Sequence, residues 1–298
     1  MRLYIMKYDH LEQFERCLAM RDLSANTLQA YIRDLRLFAK WFESTNGDRF
    51  TPPAITPIDL REYKSYLLTV QEAKPATINR KLSTISAFCQ WSVEQGLIES
   101  DPSQNISQVG EVSLAPKWLT RSEQYALIRA VQKENNARDL AIIMVLLHAG
   151  LRVSEVSNLR LSDVKISERK GSLTVRRGKG TKYRVVPLNA DVRTALSAYL
   201  NERPHVDHDY VFVGKRGEKL KPWGIQYLAG KYAYNAHLES VTPHTLRHTC
   251  GKNLIDAGVP LDQVATLLGH KNLNTTRIYT TPSEQDLQKA VDRIALGS

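Results

Sequence analysis

The sequence predicts a mainly α-helical protein of two domains, the second of which carries a small antiparallel β-sheet. Apolar residues recur at helical spacing in four consecutive segments near the N-terminus. Between residues 162 and 187 the period shortens to that of strands, on either side of a glycine-containing turn. A chain of 298 residues is long enough to bury two such cores.

Residues 1–102 are predicted to form the first domain, a bundle of four helices. Turn-forming residues such as Asn46-Gly47 separate the segments, and Gly96 ends the last one. In each segment the apolar side chains fall on one face, which indicates a shared core. The predicted helices lie close to Leu11–Ala19, Thr27–Phe42, Pro57–Val70 and Thr77–Gln95.

Residues 103–117 contain Ser, Gln and Gly without a regular period, and we predict that they form an interdomain linker. The second domain is predicted to span residues 118–298. Thr120 and Glu123 fit a capping box for its first helix. An apolar helix over Asp139–Leu147 follows, and a glycine ends it.

A β-hairpin is predicted next in the second domain. Leu173–Val175 and Tyr183–Val186 have the composition of strands, and the turn between them contains two glycines. Residues 169–184 hold seven basic and no acidic side chains. Such a run usually forms a solvated face, and that interpretation stays open beside a role in binding.

The rest of the second domain is predicted to be helical. Thr242 supplies an N-cap and Pro243 follows at the first helical position, a combination typical of helix starts. The predicted helices are Asp191–Leu200, Trp223–Ala236, one from Thr242-Pro243 onward, one from Val259-Pro260 to Gly269, and an amphipathic tail helix over Ser283–Leu296.

The charge distribution points to an anionic partner of the second domain. The chain carries 41 basic and 31 acidic residues, a net charge of +10. Residues 1–102 hold 13 of each sign, so the whole excess lies in residues 103–298. A basic balance favours nucleic acid or acidic membranes.

The cysteines and the hydropathy restrict the protein's location. Cys17, Cys89 and Cys250 are odd in number and lack the spacing of a metal site, which favours a reducing compartment over a disulfide scaffold. We interpret Cys250 as an apolar helix-packing residue. The longest apolar run, Leu140–Leu147, is too short to span a bilayer. We therefore expect a cytoplasmic protein without a membrane segment.

One stretch near the C-terminus concentrates side chains that are suited to phosphate chemistry. His244 and Arg247 lie three residues apart at a helix start, so they share a face, and a helix start is itself a natural anion site. His270 follows the glycine that ends the next helix, and Tyr279 comes nine residues later.

Together with Arg152 and Lys179, these groups match the needs of phosphodiester cleavage. Arginine forks can clamp the non-bridging oxygens, and a histidine can donate a further hydrogen bond. A tyrosine hydroxyl can attack phosphorus, and a lysine can protonate the leaving oxygen. Because protein cations do this work, no metal or cofactor is expected. Glu155, three residues after Arg152, is expected to orient Arg152 or another active-site group through a salt bridge.

Five segments resemble the tyrosine recombinase (phage integrase) family, especially its Xer-like members. The order and spacing of five separate motifs make the resemblance specific, and it extends over most of the chain. It implies an N-terminal core-binding (SAM-like) domain and a mixed, mostly helical catalytic domain. The segments are AGLRVSEV (149–156), RRGKG (176–180), HTLRHT (244–249), LLGHKN (267–272) and TTRIYT (275–280).

The resemblance also implies a role for each catalytic residue. Tyr279 would attack a phosphodiester, form a 3′-phosphotyrosyl link and free a 5′-hydroxyl. His244 would manage the proton of Tyr279. Lys179 would be the general acid for the 5′-oxygen, with Lys182 as the alternative on the same hairpin. The pentavalent phosphate would be stabilised by Arg152, Arg247 and His270.

The resemblance implies contacts with double-stranded DNA from both domains. In the first domain the candidates lie on the fourth helix, where a merely solvated role is the alternative. In the second domain they lie on the basic hairpin. The candidate DNA-binding residues are Thr77, Asn79, Arg80, Lys81, Arg176, Arg177 and Lys182.

Family resemblance further implies a homotetramer that exchanges strands between two duplexes at inverted-repeat core sites through a Holliday junction. Without DNA, a monomer or a weakly associated species is expected. The tail helix would pack on its own domain or on a neighbouring subunit. Two alternatives remain: a type IB topoisomerase-like DNA swivelase, and a non-catalytic DNA-binding regulator.

The segment Thr249-Cys250-Gly251 departs from the usual pattern after the histidine–arginine motif. Gly251 lies in the interior of a predicted helix, where glycine costs about 1 kcal/mol relative to alanine. A larger apolar residue is more usual at this point. The departure puts local packing in doubt, but not the catalytic positions.

Overall fold

The computed structural model describes residues 9–21, 23, 25–110, 117–177, 182–270, 272, 274–280 and 291–292. The chain divides into two compact units, Met1–Ser113 and Leu114–Ser298. Each unit has a hydrophobic core of its own. The first unit and the sheet-containing second unit confirm the predicted fold class.

In the part of the first unit that the structure describes, four α-helices pack around an aromatic core. Proline begins both α3 and α4, and Thr56 caps α3 through a capping box with Asp59. The rings of Phe14 and Phe88 meet edge to face, 5.4 Å apart. The helices are α1 (Asp9–Met20), α2 (Ala25–Asn46), α3 (Pro57–Thr69) and α4 (Pro75–Glu94).

The chain after α4 is attached to the first unit by specific hydrogen bonds. The buried side chain of Asn79 donates to the carbonyl of Val109 at 2.9 Å and accepts from its N–H at 2.8 Å. Lys64 donates to the carbonyl of Ser107 at 2.6 Å. The amide of Asn79 thus holds this segment, and its expected DNA contact stays a prediction.

The second unit contains eight helices within the part of the chain that the structure describes. Thr120 and Glu123 form the predicted capping box at the start of the first of them. The helices are α5 (Arg121–Lys133), α6 (Ala137–Met144), α7 (Val153–Asn158), α8 (Ala190–Glu202), α9 (Pro222–Asn235), α10 (Pro243–Asp256), α11 (Leu261–Leu268) and α12 (Asn274–Arg277).

Three antiparallel strands form the sheet, in the order β1-β2-β3. The predicted hairpin is present, with Leu173 opposite Val186. The short strand β1, which pairs Val164 with Leu173, was not predicted. The strands are β1 (Val164–Ile166), β2 (Gly171–Arg177) and β3 (Lys182–Pro187). Residues 178–181, which join β2 to β3, lie outside the described residues.

Two local features bring the functional segments into position. Helix α6 continues into a single π-helical turn, Val145–Ala149, and ends at Gly150. The chain then enters α7 with Arg152 as its N-cap. Helix α10 packs against this π-helical turn. As a result, the start of α7 and the first half of α10 face the same space.

The tail helix predicted over Ser283–Leu296 lies outside the described residues, apart from Val291 and Asp292. Among the helices that the structure describes, none is both long enough and apolar enough to cross a bilayer.

Candidate active site

Three arginines converge on the C-terminal end of α11. They come from three different elements, and each donates to a different carbonyl oxygen: Arg184 to Leu267 at 2.9 Å, Arg247 to Leu268 at 2.5 Å, and Arg152 to Gly269 at 3.1 Å. The last carbonyls of a helix have no intrahelical partner and carry partial negative charge. The helix end therefore holds the three guanidinium groups in fixed positions.

Gly269 makes this helix end possible. Its φ of +68° is in the left-handed region, and its N–H donates to Thr266 while that of His270 donates to Ala265. These two bonds form a Schellman motif. A Cβ at Gly269 would also lie 2.8 Å from an Nη atom of Arg184. Glycine at this position therefore serves both the backbone turn and the approach of the arginine.

Glu155 is the counter-ion of the cluster. It accepts two hydrogen bonds from Arg184, at 2.9 and 2.8 Å, and one from the Arg152 side chain at 3.0 Å. It also accepts from the backbone N–H of Arg152, and Arg247 approaches it to 4.0 Å. Burial raises the pKa of Glu155, but the bonds from Arg184 and Arg152 outweigh burial and hold it at about 2.

These four groups carry a net charge of +2, since three guanidinium ions face one carboxylate. Burial and the neighbouring Arg152 lower the pKa of Arg247 to about 10, so this guanidinium stays protonated at neutral pH. A largely buried excess of positive charge favours an anion that can neutralise it. A depression of about 370 Å³ beside Arg152 and Glu155 extends to Arg176.

Tyr279 is buried next to this cluster. Its hydroxyl lies 3.0 Å from Nδ1 of His248, and its ring is nearly parallel to that of His270 at 6.3 Å. Burial raises the pKa of Tyr279 to about 12, against the opposing effect of Arg247 and Arg152. The tyrosine is therefore protonated at neutral pH in the absence of DNA.

Gly251 explains how the tyrosine ring reaches α10. A Cβ at this position would lie 2.7 Å from both Cε2 and Cζ of Tyr279, a distance that no real Cβ contact tolerates. The Tyr279 ring occupies the space that a Cβ would need, which explains why a glycine stands inside this helix despite its cost in helix stability. The unusual Gly251 therefore forms part of the surface against which the Tyr279 ring packs.

His270 is oriented by Thr276 of α12. The threonine hydroxyl, fully buried, lies 2.8 Å from Nδ1 of His270. Burial, followed by the charges of Arg247 and Arg152, lowers the pKa of His270 to about 4. A neutral imidazole still carries one N–H that can donate to a phosphate oxygen.

His244 is exposed at the N-terminal end of α10, and its ring stacks on His248 at 5.9 Å. Partial desolvation of the ring on its protein-facing side, followed by the charges of Arg247 and Arg152, lowers the pKa of His244. The histidine bonded to the Tyr279 hydroxyl is thus His248. His248, rather than His244, therefore contacts the proton that His244 was expected to manage.

The structure brings together most of the predicted catalytic residues, whereas most of the predicted hairpin residues cannot be placed. Lys179 lies outside the described residues, as do the side chains of Arg177 and Lys182. Arg176 is described: it is exposed and donates to buried Asp163 at 2.7 Å. The predicted residues that surround one another are Arg152, Glu155, His244, Arg247, His270 and Tyr279.

The candidates on α4 differ in their surroundings. Arg80 is partly exposed and forms an ion pair with Asp34, which is buried on α2. Lys81 is half-buried beside this pair, and Thr77 is half-buried as well. The ion pair gives Arg80 a structural partner, and the three DNA contacts remain predictions.

Sequence reasoning missed Arg184, His248 and Thr276. Arg184 interrupts an apolar strand, and such a buried-strand arginine is a signal for a specific partner. His248 follows Arg247 directly in the HTLRHT segment. Thr276 is one of two adjacent threonines, and nothing in the sequence separates them. Their roles depend on contacts across 83, 31 and 6 positions of the chain.

Comparison with known proteins identifies two family domains in this chain. The model described as "Phage integrase family" matches residues 117–286, and "Phage integrase, N-terminal SAM-like domain" matches residues 11–96. The first covers more than half of the chain.

Individual relatives match over nearly the full length. The tyrosine recombinase XerC of Thermodesulfovibrio yellowstonii is 32% identical over 91% of this chain and 90% of its own. The TnP I resolvase of Bacillus thuringiensis is 29% identical over 95% and 99%. The structure of XerH recombinase bound to palindromic difH shares the fold, with a TM-score of 0.77, 24% identity, and coverage of 95% and 84%. The chain belongs to the phage integrase family of tyrosine recombinases, enzymes that break and rejoin DNA.

Proposed function

We propose that the protein carries out site-specific recombination with Tyr279 as its nucleophile, through a 3′-phosphotyrosyl intermediate. The observation that carries the proposal is the placement of a buried tyrosine hydroxyl beside a cluster with a net charge of +2. A phosphodiester is the anion that such a cluster would hold next to a nucleophile.

In the proposed step, the Tyr279 oxygen attacks phosphorus and the bond from phosphorus to the 5′-oxygen breaks. Negative charge grows on the non-bridging oxygens during this step. Arg152 and Arg247 stabilise it with guanidinium N–H groups, and His270 adds an imidazole donor. His244, on the exposed first turn of α10, is a further donor toward the same oxygens. A 5′-hydroxyl of a partner duplex then reverses the reaction.

Lys179 is proposed to protonate the departing 5′-oxygen. It belongs to the basic hairpin between β2 and β3, a segment whose chemistry only the sequence supports. Lys182 remains the alternative. The same hairpin supplies Arg176 and Arg177 as candidate phosphate contacts, with Thr77, Arg80 and Lys81 as candidates on α4.

The proposed substrate is a pair of DNA duplexes with inverted-repeat core sites, on which four copies of the chain assemble. The XerH structure holds a palindromic site, and this supports an inverted repeat here. Without DNA the chain is proposed to be monomeric or weakly associated. We propose a cytoplasmic location, because three cysteines that form no disulfide among the described residues fit a reducing compartment. The comparisons give no support to a type IB topoisomerase-like swivelase.

Covalent capture would test this function. The protein is mixed with fragments of the genome that encodes it, the reaction is stopped with detergent, and protein-linked DNA is sequenced. The Tyr279→Phe variant is assayed in parallel. Tyr234→Phe is the matched control, because Tyr234 is exposed on α9.

Recurrent adducts at one inverted repeat are expected with the wild type and with Tyr234→Phe, and none with Tyr279→Phe. DNA binding by Tyr279→Phe should persist, since the substitution removes a neutral hydroxyl and changes no charge at the site. Adducts scattered over the genome would contradict site specificity. Adducts that persist in Tyr279→Phe would exclude Tyr279 as the nucleophile.

A further inference from the structure

His248 is a histidine of this site that neither the resemblance nor the proposed mechanism uses. It lies on α10, four residues after His244 and directly after Arg247. Its Nδ1 atom is 3.0 Å from the Tyr279 hydroxyl, a hydrogen-bond distance. The two rings are tilted by 59° with centroids 5.6 Å apart, so the contact is made by the ring edge rather than by stacking.

We propose that His248 is the general base of the cleavage step and that its Nδ1 atom takes the hydroxyl proton of Tyr279. This inference rests on the proposed role of Tyr279 as the nucleophile. Geometry is the first requirement for a general base, and His248 is within hydrogen-bond reach of the proton that must leave.

The other two histidines of the site are occupied differently. His270 has its Nδ1 atom at 2.8 Å from Thr276 and meets Tyr279 ring to ring. The ring of His244 stacks on that of His248, with the ring centroids 5.9 Å apart. Of the three, His248 is therefore the one whose ring nitrogen meets the nucleophilic atom itself.

The step balances as follows. The Tyr279 oxygen forms its bond to phosphorus while its proton moves to His248, which becomes an imidazolium. The bond from phosphorus to the 5′-oxygen breaks, and that oxygen takes a proton from the proposed acid, Lys179. In the reverse attack, the incoming 5′-hydroxyl bonds to phosphorus and gives its proton to the now neutral Lys179. His248 returns its proton to the tyrosine oxygen as the phosphotyrosyl bond breaks.

The resting state is consistent with transfer during attack rather than before it. Burial, then His244 and Arg247, lower the pKa of His248 to about 4, so the imidazole is neutral and can accept a proton. The groups that face it are His244 and Arg247 on α10, with Tyr279 and His270 opposite. The tyrosine oxygen becomes acidic as its bond to phosphorus forms, and a bound phosphate offsets the arginine charges.

Three variants of His248 separate proton transfer from hydrogen bonding. Asparagine places an oxygen or a nitrogen where Nδ1 lies, so His248→Asn keeps a partner for the hydroxyl but cannot take its proton near pH 7. His248→Gln and His248→Ala lose that partner at the Nδ1 position. His205→Asn is the matched control, because His205 is exposed on a loop.

The probe is a nicked duplex that carries the site recovered by covalent capture, and the readout is the single-turnover rate of adduct formation. We expect all three His248 variants to be slower by about 100-fold or more, the contribution of general base catalysis. Their DNA affinity and unfolding midpoints should match those of His205→Asn. Their rates should also rise about tenfold per pH unit, because only the tyrosinate then reacts.

A second substrate assigns the defect to attack rather than to departure. With sulfur in place of the 5′-bridging oxygen, the leaving group is a thiolate, which needs no general acid because thiols are far more acidic than alcohols. His248→Asn should stay slow on this substrate. Recovery of its rate would overturn the inference, because His248 would then act in protonating the leaving 5′-oxygen rather than in deprotonating Tyr279.

Wild-type rates in His248→Asn would also overturn the inference, because a hydrogen bond alone would then suffice. The variants could instead unfold at lower denaturant concentration, with an unfolded fraction that accounts for the whole loss of rate. That outcome would also overturn the inference, because His248 would then have only a structural role. Absence of adducts with the wild type would overturn the proposed function itself. The outcomes for the two proposals are therefore distinct.

Discussion

Replacing Glu155 with glutamine tests whether the arginine cluster depends on this carboxylate as its counter-ion. The carboxylate is 13% exposed and receives hydrogen bonds from Arg184 and Arg152. Glutamine has nearly the same shape but no charge. Without the carboxylate, Arg184, Arg152 and Arg247 face one another unpaired, and such a loss is strongly destabilising in a buried site.

The magnitude follows from the pKa of Glu155. It falls from 4.5 to about 2 on folding, and each unit is worth about 1.4 kcal/mol. The carboxylate therefore stabilises the fold by about 3 kcal/mol at pH 7. Because the folded pKa is depressed, this contribution is fully present above pH 4.5 and is lost as the pH falls toward 2. In a unit of this size, the loss lowers the melting temperature by about 6–12 °C.

The assay is urea unfolding of the full-length chain at several pH values. Glu155→Gln should unfold more easily than wild type by about 3 kcal/mol at pH 7 and by about 1 kcal/mol at pH 3. Glu202→Gln, an exposed carboxylate at the end of α8, is the control and should change little. A difference below about 1 kcal/mol at pH 7, or one that does not shrink with acid, would refute the reasoning.

Three further substitutions test individual contacts. Gly251→Ala should slow adduct formation about 100-fold, because a Cβ would displace the Tyr279 ring from its place on α10. Thr276→Val should slow it about tenfold while DNA affinity stays unchanged, because His270 loses the bond that orients its ring. Asn79→Ala should lower the unfolding free energy by about 1–3 kcal/mol, measured with urea, because two hydrogen bonds to a buried amide are lost.

Each of these has a matched control. Gly230→Ala lies in a helix with open space around the new Cβ and should leave the rate unchanged. Thr275→Val is exposed on the same short helix as Thr276, and Asn105→Ala is exposed in the segment after α4. Equal effects in variant and control would show that the named contact is not the cause. Weaker DNA binding by Asn79→Ala at unchanged stability would restore it as a DNA contact.

Much of the fold was predictable because it depends on local interactions. Thr242-Pro243 starts α10 and Gly269 ends α11, as the sequence indicated, since caps are satisfied by neighbours a few residues away. The ion pair of Arg152 with Glu155 was predictable for the same reason, because residues three apart on a helix start lie close together. The added strand β1 was not, since three residues carry too little periodicity.

The site was predictable as a set of residues but not as an arrangement. Motif order named the tyrosine, two of the three arginines and two of the three histidines that the structure brings together. The family resemblance implied that His244 manages the tyrosine proton, whereas the hydroxyl contacts His248, one turn further along α10. It also treated Gly251 as an oddity of packing, although that glycine makes room for the Tyr279 ring.

The sequence by itself determined the helices, their ends, the hairpin and the chemical groups available for phosphate transfer, because these follow from local periodicity, capping and residue type. Only the tertiary structure decided which groups meet. Arg184 reaches Leu267 across 83 positions and His248 reaches Tyr279 across 31. Such contacts depend on how helices and strands pack and on which side-chain rotamers the packing permits, and no local pattern records them.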